Sequence, residues 1–155
     1  RGKECIVLYN DIPENTVFEL EKRLRQISVA IKKRGRKILT NYPITPSQFI
    51  ALQWIVDEQD LTIGELAKKI GLAFSTTTDL INRMEANGLV ERNKDERDRR
   101  IVRIKALDKG KQIIKEVIDE RREYLGHILQ SFTTEQTVQL TELLTHLYDT
   151  MHEEN

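Results

Sequence analysis

Gly88-Leu89-Val90-Glu91-Arg92-Asn93-Lys94-Asp95-Glu96-Arg97-Asp98-Arg99-Arg100-Ile101-Val102-Arg103-Ile104-Lys105 is the stretch on which the fold turns. Residues 89–92 and 101–105 are short β-like runs, and residues 93–100 between them are too charged to enter a core. That is the pattern of a hairpin with an exposed tip. What precedes Gly88 is helical. From about Phe74 to Asn87, Leu80, Ile81 and Met84 point inward while Ser75, Thr76, Thr77, Asp79, Asn82 and Arg83 lie largely outward, and Gly88 ends the helix. Just upstream, Thr62-Ile63-Gly64-Glu65 has the reciprocal cap of a helix start, and Gly71 supplies a left-handed stop. Two short helices joined by a tight glycine turn form a helix-turn-helix, and the hairpin after them is its wing.

Helices extend this unit on both sides. Thr45-Pro46-Ser47-Gln48 offers an N-cap hydroxyl, a proline at the first helical position and a glutamine that can bond back, opening a largely buried helix to about Glu58. From about Asn15 to Thr40, Val17, Leu20, Leu24, Ile27 and Ile31 step by three and four, the stripe of a long amphipathic helix with heptad-like spacing. Asp108 is expected to cap a second long helix, with Ile114, Val117, Ile118, Leu125, Ile128 and Leu129 on its stripe. Thr133 with Gln136 caps the last helix, which carries Leu140, Leu143, Leu144, Leu147 and Met151. The fold class is mainly α with a small β-hairpin wing: a winged helix-turn-helix flanked by long N- and C-terminal helices.

Composition agrees with a single domain. The chain has 155 residues, 39% of them hydrophobic, with three prolines and seven glycines, which leaves little room for linkers or a turn-rich all-β fold. The longest purely apolar run, Cys5-Ile6-Val7-Leu8-Tyr9, is far shorter than the roughly 20 residues of a bilayer span, so no membrane association is expected. The lone Cys5 cannot form an internal disulfide, and the reducing cytoplasm is the expected compartment. Lys+Arg and Asp+Glu both number 25, yet they are segregated. Residues 91–105 hold seven basic and four acidic side chains, whereas residues 133–155 hold five acids and no Lys or Arg. Phosphates respond to the local field and not to the sum.

A helix-turn-helix places its second helix in the major groove. Ser75, Thr76, Thr77 and Thr78 begin that helix, and Asn82 and Arg83 follow on its later turns. A Ser/Thr run also favours helix starts for its own reasons, so the run alone does not decide between the two roles. The wing is more specific. Lys94, Arg97, Arg99 and Arg100 on a strand turn suit a narrow, electronegative minor groove, and Asp95 and Asp98 can pair with neighbouring Arg residues and fix their direction. A charged turn by itself is usually just solvated; its position directly after a helix-turn-helix points to double-stranded DNA.

In this order of elements the chain resembles the MarR family of winged-helix transcription regulators from about Glu14 onward. Asp95-Glu96-Arg97-Asp98-Arg99-Arg100 is similar to the family's wing motif, Asp, any, Arg, Asp or Ser, any, Arg. Leu107-Asp108-Lys109-Gly110 is similar to its Leu-Thr-x-x-Gly, and Leu66-Ala67, Arg83-Met84-Glu85 and Gly88-Leu89-Val90 match its framework. The resemblance implies one domain over residues 1–155, with 14–40 and 108–152 as dimerisation helices and 45–106 as the DNA-binding region. It implies a homodimer on a pseudo-palindromic operator, most simply a repressor released by a small molecule. Arg97 would then enter the minor groove, Asp95 would orient it, and Ser75, Thr76, Thr78 and Arg83 would face the major groove. The chain departs from the pattern at Asp108, where Thr is usual, at Ala73, which lacks a polar side chain, and at Asp79, where a polar or basic residue is commoner. Asp79 either weakens phosphate contact or accepts from a cytosine amino group.

Other residues carry weaker signals. Phe18, Tyr42, Phe49 and Trp54 are candidates for a cleft holding a phenolic or lipophilic effector, with core packing as the plainer role. Residues 32–37, together with Lys68 and Lys69, are candidates for backbone phosphates. Cys5 would serve a redox-sensing regulator, but no nearby base in the sequence lowers its pKa. His127, His146 and His152 lack metal-ligand spacing, so no metal or cofactor is expected. No nucleophile elbow, phosphate loop or metal-spaced acid pair occurs, and an enzyme is not expected. The rival class is a winged helix that binds another protein and not DNA, favoured only by net neutrality and Asp79.

Overall fold

Local cap chemistry sets the start of two helices, α3 and α6, in the structure, a computed structural model that describes residues 12–153. The order is α1 (Glu14–Leu39), α2 (Pro46–Glu58), β1 (Leu61–Thr62), α3 (Ile63–Ile70), α4 (Phe74–Ala86), β2 (Val90–Lys94), β3 (Val102–Ala106), α5 (Asp108–Leu129) and α6 (Thr134–Glu153). At α3 the Glu65 amide donates to Thr62 Oγ1 at 3.2 Å while the Thr62 amide donates to the Glu65 carboxylate at 2.9 Å. Thr133 and Gln136 repeat this exchange ahead of α6, at 3.1 and 3.0 Å. Gly88 closes α4 at φ +71°, where a β-carbon would be strained, and the Gly88 and Leu89 amides donate back to Glu85 and Met84 carbonyls, both at 3.0 Å. Asp108 does not cap α5 as expected. Leu107 holds the cap position without a side-chain hydrogen bond, and Asp108 is the first helical residue, its carboxylate favourable at the positive end of the helix.

The hairpin is present, displaced by one or two residues from its expected limits, and it belongs to a three-stranded antiparallel sheet of order β1-β3-β2. Val90 pairs with Ala106, Arg92 with Ile104 and Asn93 with Arg103, while Leu61 of β1 pairs with Ile104 on the other side of β3. Strand β1 has two residues, too few to show any alternation in a sequence.

The chain divides into two compact units, Arg1–Pro46 and Ser47–Asn155. In the second, Leu52, Ile55, Leu66, Ile81, Met84, Leu89, Val90, Ile104 and Val117 are essentially shut off from solvent and form the core under the helix-turn-helix and sheet. Leu89 ties three elements together. Its amide closes α4, its side chain is in the core, and its carbonyl accepts the Leu107 amide at 2.9 Å just before α5. Helix α5 can lie that close because residue 110 is glycine: a β-carbon there would sit 2.4 Å from the Leu89 oxygen and 3.0 Å from Leu52 Cδ1. Lys109 adds a hydrogen bond from Nζ to the Asn87 carbonyl at 2.9 Å, neutralising the C-terminal end of α4.

The long helices leave much apolar surface open. Helix α6 buries no residue, and Leu143 is 67% exposed on it. In the first unit, α1 exposes Phe18, Leu20, Leu24, Ile27 and Ile31, and only its C-terminal part, at Gly35, Ile38 and Leu39, is buried. Among the described residues no helix is long and apolar enough to cross a membrane.

Gly110→Ala is expected to destabilise the protein by about 1–3 kcal/mol, because the added methyl meets backbone and not the end of a flexible side chain. Urea unfolding at fixed protein concentration measures this, and an unchanged midpoint would show that the Leu89–Leu107 junction yields freely.

Candidate nucleic-acid interface

Helix α4 sorts its polar residues more strictly than the sequence does. Ser75, Thr76, Asp79 and Arg83 are exposed, and their spacing puts them along one side of the helix. Thr77, expected on that side, is fully buried, its hydroxyl donating to the Ala73 carbonyl at 2.9 Å. The reason is its spacing from Ile81 and Met84, four and seven residues on, which puts it on the core stripe. Thr78 is half-buried and its hydroxyl donates to the Phe74 carbonyl at 3.0 Å.

Asn82 is exposed but already engaged: its side-chain oxygen accepts from Arg92 Nη2. Arg92 Nη1 in turn donates to the Glu85 carboxylate at 2.9 Å, and the Arg92 amide donates to the same carboxylate at 3.1 Å. Asn82, Glu85 and Arg92 thus bolt α4 to β2 and fix the helix relative to the wing. At its other end α4 has Ala73 as N-cap with no side-chain hydrogen bond, which leaves its first amides to an outside acceptor.

The wing tip is organised by one carboxylate. Asp95 Oδ1 accepts the amides of Arg97 at 2.8 Å and Asp98 at 3.1 Å, and Oδ2 accepts Arg103 Nε at 2.7 Å. Asp98 likewise accepts the Arg100 amide at 3.0 Å, and the turn is closed by backbone bonds between Asp95 and Ile101 and between Ile101 and Asp98, both 2.9 Å. The expectation that Asp95 and Asp98 hold neighbouring Arg side chains therefore takes a different form. Both aspartates hold backbone amides of the turn, and the one guanidinium that Asp95 pairs with is Arg103, on β3. Lys94, Arg97, Arg99 and Arg100 are exposed and form no ion pair among the described residues, so their charge is available to an outside anion.

Arg103 is a residue the sequence did not single out. Beyond its pair with Asp95, its Nη1 donates to the Asp60 carbonyl at 2.7 Å, tying the wing to the turn before β1. In that turn Gln59 and Asp60 both have left-handed backbones, φ +42° and +56°, with no glycine to announce it. The Arg103 hydrogen bond, followed by the amides of Asp98 and Arg97, holds the Asp95 carboxyl at about 2, down from an ordinary 3.8.

Several weaker candidates are placed elsewhere. Lys69 does not face outward alone: its Nζ is 2.7 Å from Glu58 and 4.8 Å above the Trp54 ring. Lys68 is exposed, as are Lys32, Lys33, Arg36 and Lys37. Phe49 is buried, with the Arg121 guanidinium 4.7 Å over its ring, so it is a packing residue and not a cleft wall. Trp54 is half-buried under Lys69, Tyr42 is half-buried after α1, and Phe18 is exposed on α1. His127, His146 and His152 are exposed on the terminal helices. Cys5 lies outside the described residues.

The comparisons agree with this architecture. A family model described as MarR family matches residues 44–102, from just before α2 to the first residue of β3. The HTH-type transcriptional regulator YsmB of Bacillus subtilis is 55% identical over 124 residues, covering 80% of this chain and 85% of the relative. A solved MarR family protein from Bacillus stearothermophilus is 54% identical, with a TM-score of 0.86 over 91% of this chain and 99% of that one. Streptococcus pneumoniae FabT, solved in complex with DNA, shares the fold at 20% identity, with a TM-score of 0.76 over 90% of this chain and 99% of that one.

Because the folded pKa of Asp95 is depressed, its contribution to wing order is complete above pH 3.8 and is lost as the pH falls toward about 2. A carbon-13 carboxyl titration should put its midpoint near the lower value, and Arg103→Gln should move that midpoint up toward 3.8. A midpoint already at the ordinary value in the unaltered protein would remove the clamp.

Proposed function

The chain belongs to the MarR family, and from that membership and the geometry of α4 and the wing we propose that it is a DNA-binding transcriptional regulator acting as a homodimer. The observation that carries this is the pairing of an exposed polar face on α4 with unpaired arginines on a wing ordered from within by Asp95. Ser75, Thr76, Asp79 and Arg83 enter the major groove, with Thr78 at the margin and Asn82 positioning the helix through Arg92. The wing follows the backbone into the flanking minor groove, where a narrow, electronegative floor favours Arg97, and Lys94, Arg99 and Arg100 meet phosphates. The rigid tip matters because a flexible arginine would give up more conformational entropy on binding. Such a protein works in the cytoplasm with the DNA, and it binds and does not catalyse.

The homodimer is supported by the apolar side chains left open on the long helices, residues 14–40 and 108–152, among them Phe18, Leu24, Ile31, Leu143 and Leu147, since large exposed apolar patches mark protein–protein contact sites. A two-fold axis would set two copies of residues 45–106 one helical turn of DNA apart, about 34–36 Å, which calls for a pseudo-palindromic operator. Regulation is proposed as repression relieved by a small lipophilic or phenolic effector, a reading supported by the family alone. With Phe49 committed to packing, Phe18, Tyr42 and Trp54 remain as its aromatic candidates.

Selection from a random duplex pool should enrich an inverted repeat, with affinity falling steeply as salt rises. On that duplex Arg97→Ala should weaken binding by about 1–3 kcal/mol, and unchanged affinity would remove Arg97 from the contact. Failure to enrich any sequence would favour the protein-binding winged helix. Leu143→Glu combined with Leu147→Glu should give a monomer by sedimentation and abolish operator binding, since α6 has no core of its own to lose.

A further inference from the structure

The exposed face of α4 has an acid at its centre. At about 100° per residue, Asp79 falls between Ser75 on one side and Thr76 and Arg83 on the other, nearly opposite the buried Thr77, Ile81 and Met84. Other acids of α4 and the wing are engaged within the fold: Glu85 by Arg92, Asp95 by Arg103 and the turn amides, Asp98 by the Arg100 amide. Asp79 is exposed and takes part in no hydrogen bond or ion pair among the described residues. Arg83 follows it at the spacing and in the order that favour an ion pair along a helix, yet the two side chains do not pair. Carboxylate and guanidinium are both left for an outside partner.

A face centred on Asp79 brings its carboxylate toward the base edges when it enters the major groove. Phosphates on both strands repel that charge, so the position is costly unless a donor meets it. An ionised carboxylate only accepts hydrogen bonds. Guanine presents two acceptors, N7 and O6, and thymine presents O4 and a methyl group, which leaves the amino groups of adenine and cytosine as the donors. In an A·T pair the amino group lies between two acceptors, adenine N7 and thymine O4. In a G·C pair cytosine N4 lies at the end of the row, with an acceptor on one side only, so cytosine is the edge that repels a carboxylate least. We propose that Asp79 is a specificity-determining residue whose carboxylate accepts a hydrogen bond from the N4 amino group of one cytosine in each half-site of the operator. This rests on the DNA-binding reading above. The charge also works as a filter, since guanine or thymine at that position sets acceptor against acceptor.

The test uses the full chain and the duplex it selects, with each cytosine replaced in turn by N4-methylcytosine. This base keeps its pairing with guanine and carries a methyl group in place of the amino hydrogen that faces the major groove. Binding is read by fluorescence anisotropy. One cytosine per half-site should lose about tenfold in affinity on replacement, the scale of one hydrogen bond to a charged group. In Asp79→Ala that loss should vanish, and repeated selection should find any base at the position. Asp79→Asn should move the selected base to adenine, because an amide both donates to N7 and accepts from N6. Asp79 is exposed, so an unchanged thermal midpoint checks that both variants fold. A loss of the same size in Asp79→Ala would assign the amino group to another residue and overturn the proposal. So would an operator in which no cytosine is sensitive, including the case where Asp79→Ala tightens every duplex alike because the carboxylate does nothing but repel phosphate. Absence of binding to any duplex would overturn the DNA-binding reading itself, and the role of Asp79 with it.

Discussion

The backbone of Leu89 is where the helix-turn-helix, the sheet and α5 are joined. Its amide ends α4, its carbonyl receives the Leu107 amide ahead of α5, and its side chain sits in the core from which the sheet departs. The left-handed Gly88 lets the chain leave α4 at the angle this needs, and the bare α-carbon of Gly110 lets α5 approach the same carbonyl. Because α4, β2 and α5 meet at a single residue, none can move far without breaking buried hydrogen bonds, which are expensive to leave unmade in a core. The face of α4 is therefore presented by the core and not by a flexible loop.

A second constraint governs the wing. A turn of mixed charges could collapse onto itself, with each arginine paired to the nearest acid. Here the two aspartates are engaged otherwise: Asp95 and Asp98 accept backbone amides within the turn, and Asp95 adds Arg103 from the strand. Neither aspartate holds the side chain of Arg97, Arg99 or Arg100. The same economy holds on α4, where Glu85 and Asn82 are taken by Arg92 and leave Arg83 exposed. A chain with equal numbers of acids and bases can thus present a basic surface, since its charges differ in what they are bonded to.

Much of this was legible in the residues. The capping pairs Thr62 with Glu65 and Thr133 with Gln136, the stops at Gly71 and Gly88, and Pro46 at the head of α2 act through bonds between near neighbours, so local sequence suffices to find them. The hairpin was legible for a similar reason, as a change of period and charge. What escaped depends on partners far along the chain. Strand β1 exists because β3 offers it an edge, Arg103 reaches Asp60 across forty-three positions, and Arg92 reads as one more basic residue until Glu85 and Asn82 stand beside it. Thr77 was misplaced because a hydroxyl residue in a Ser/Thr run looks solvent-facing, and only its spacing from Ile81 and Met84 puts it in the core. Asp108 was misplaced by one position because Leu107 holds the cap site through the backbone, where side-chain chemistry leaves no trace.

The sequence by itself determined the helix-turn-helix, the hairpin after it, the long flanking helices and the concentration of arginine at the wing, because helix periodicity, caps and turn residues are local preferences that each segment carries with it. The tertiary structure alone decided which polar groups are free. Hydrogen bonds and ion pairs between distant residues commit Asn82, Arg92, Lys69 and Arg103 to holding the frame, and burial withdraws Thr77 and Phe49. A side chain can reach outward only when nothing inside the fold has claimed it, and that depends on which distant residues the fold brings into contact.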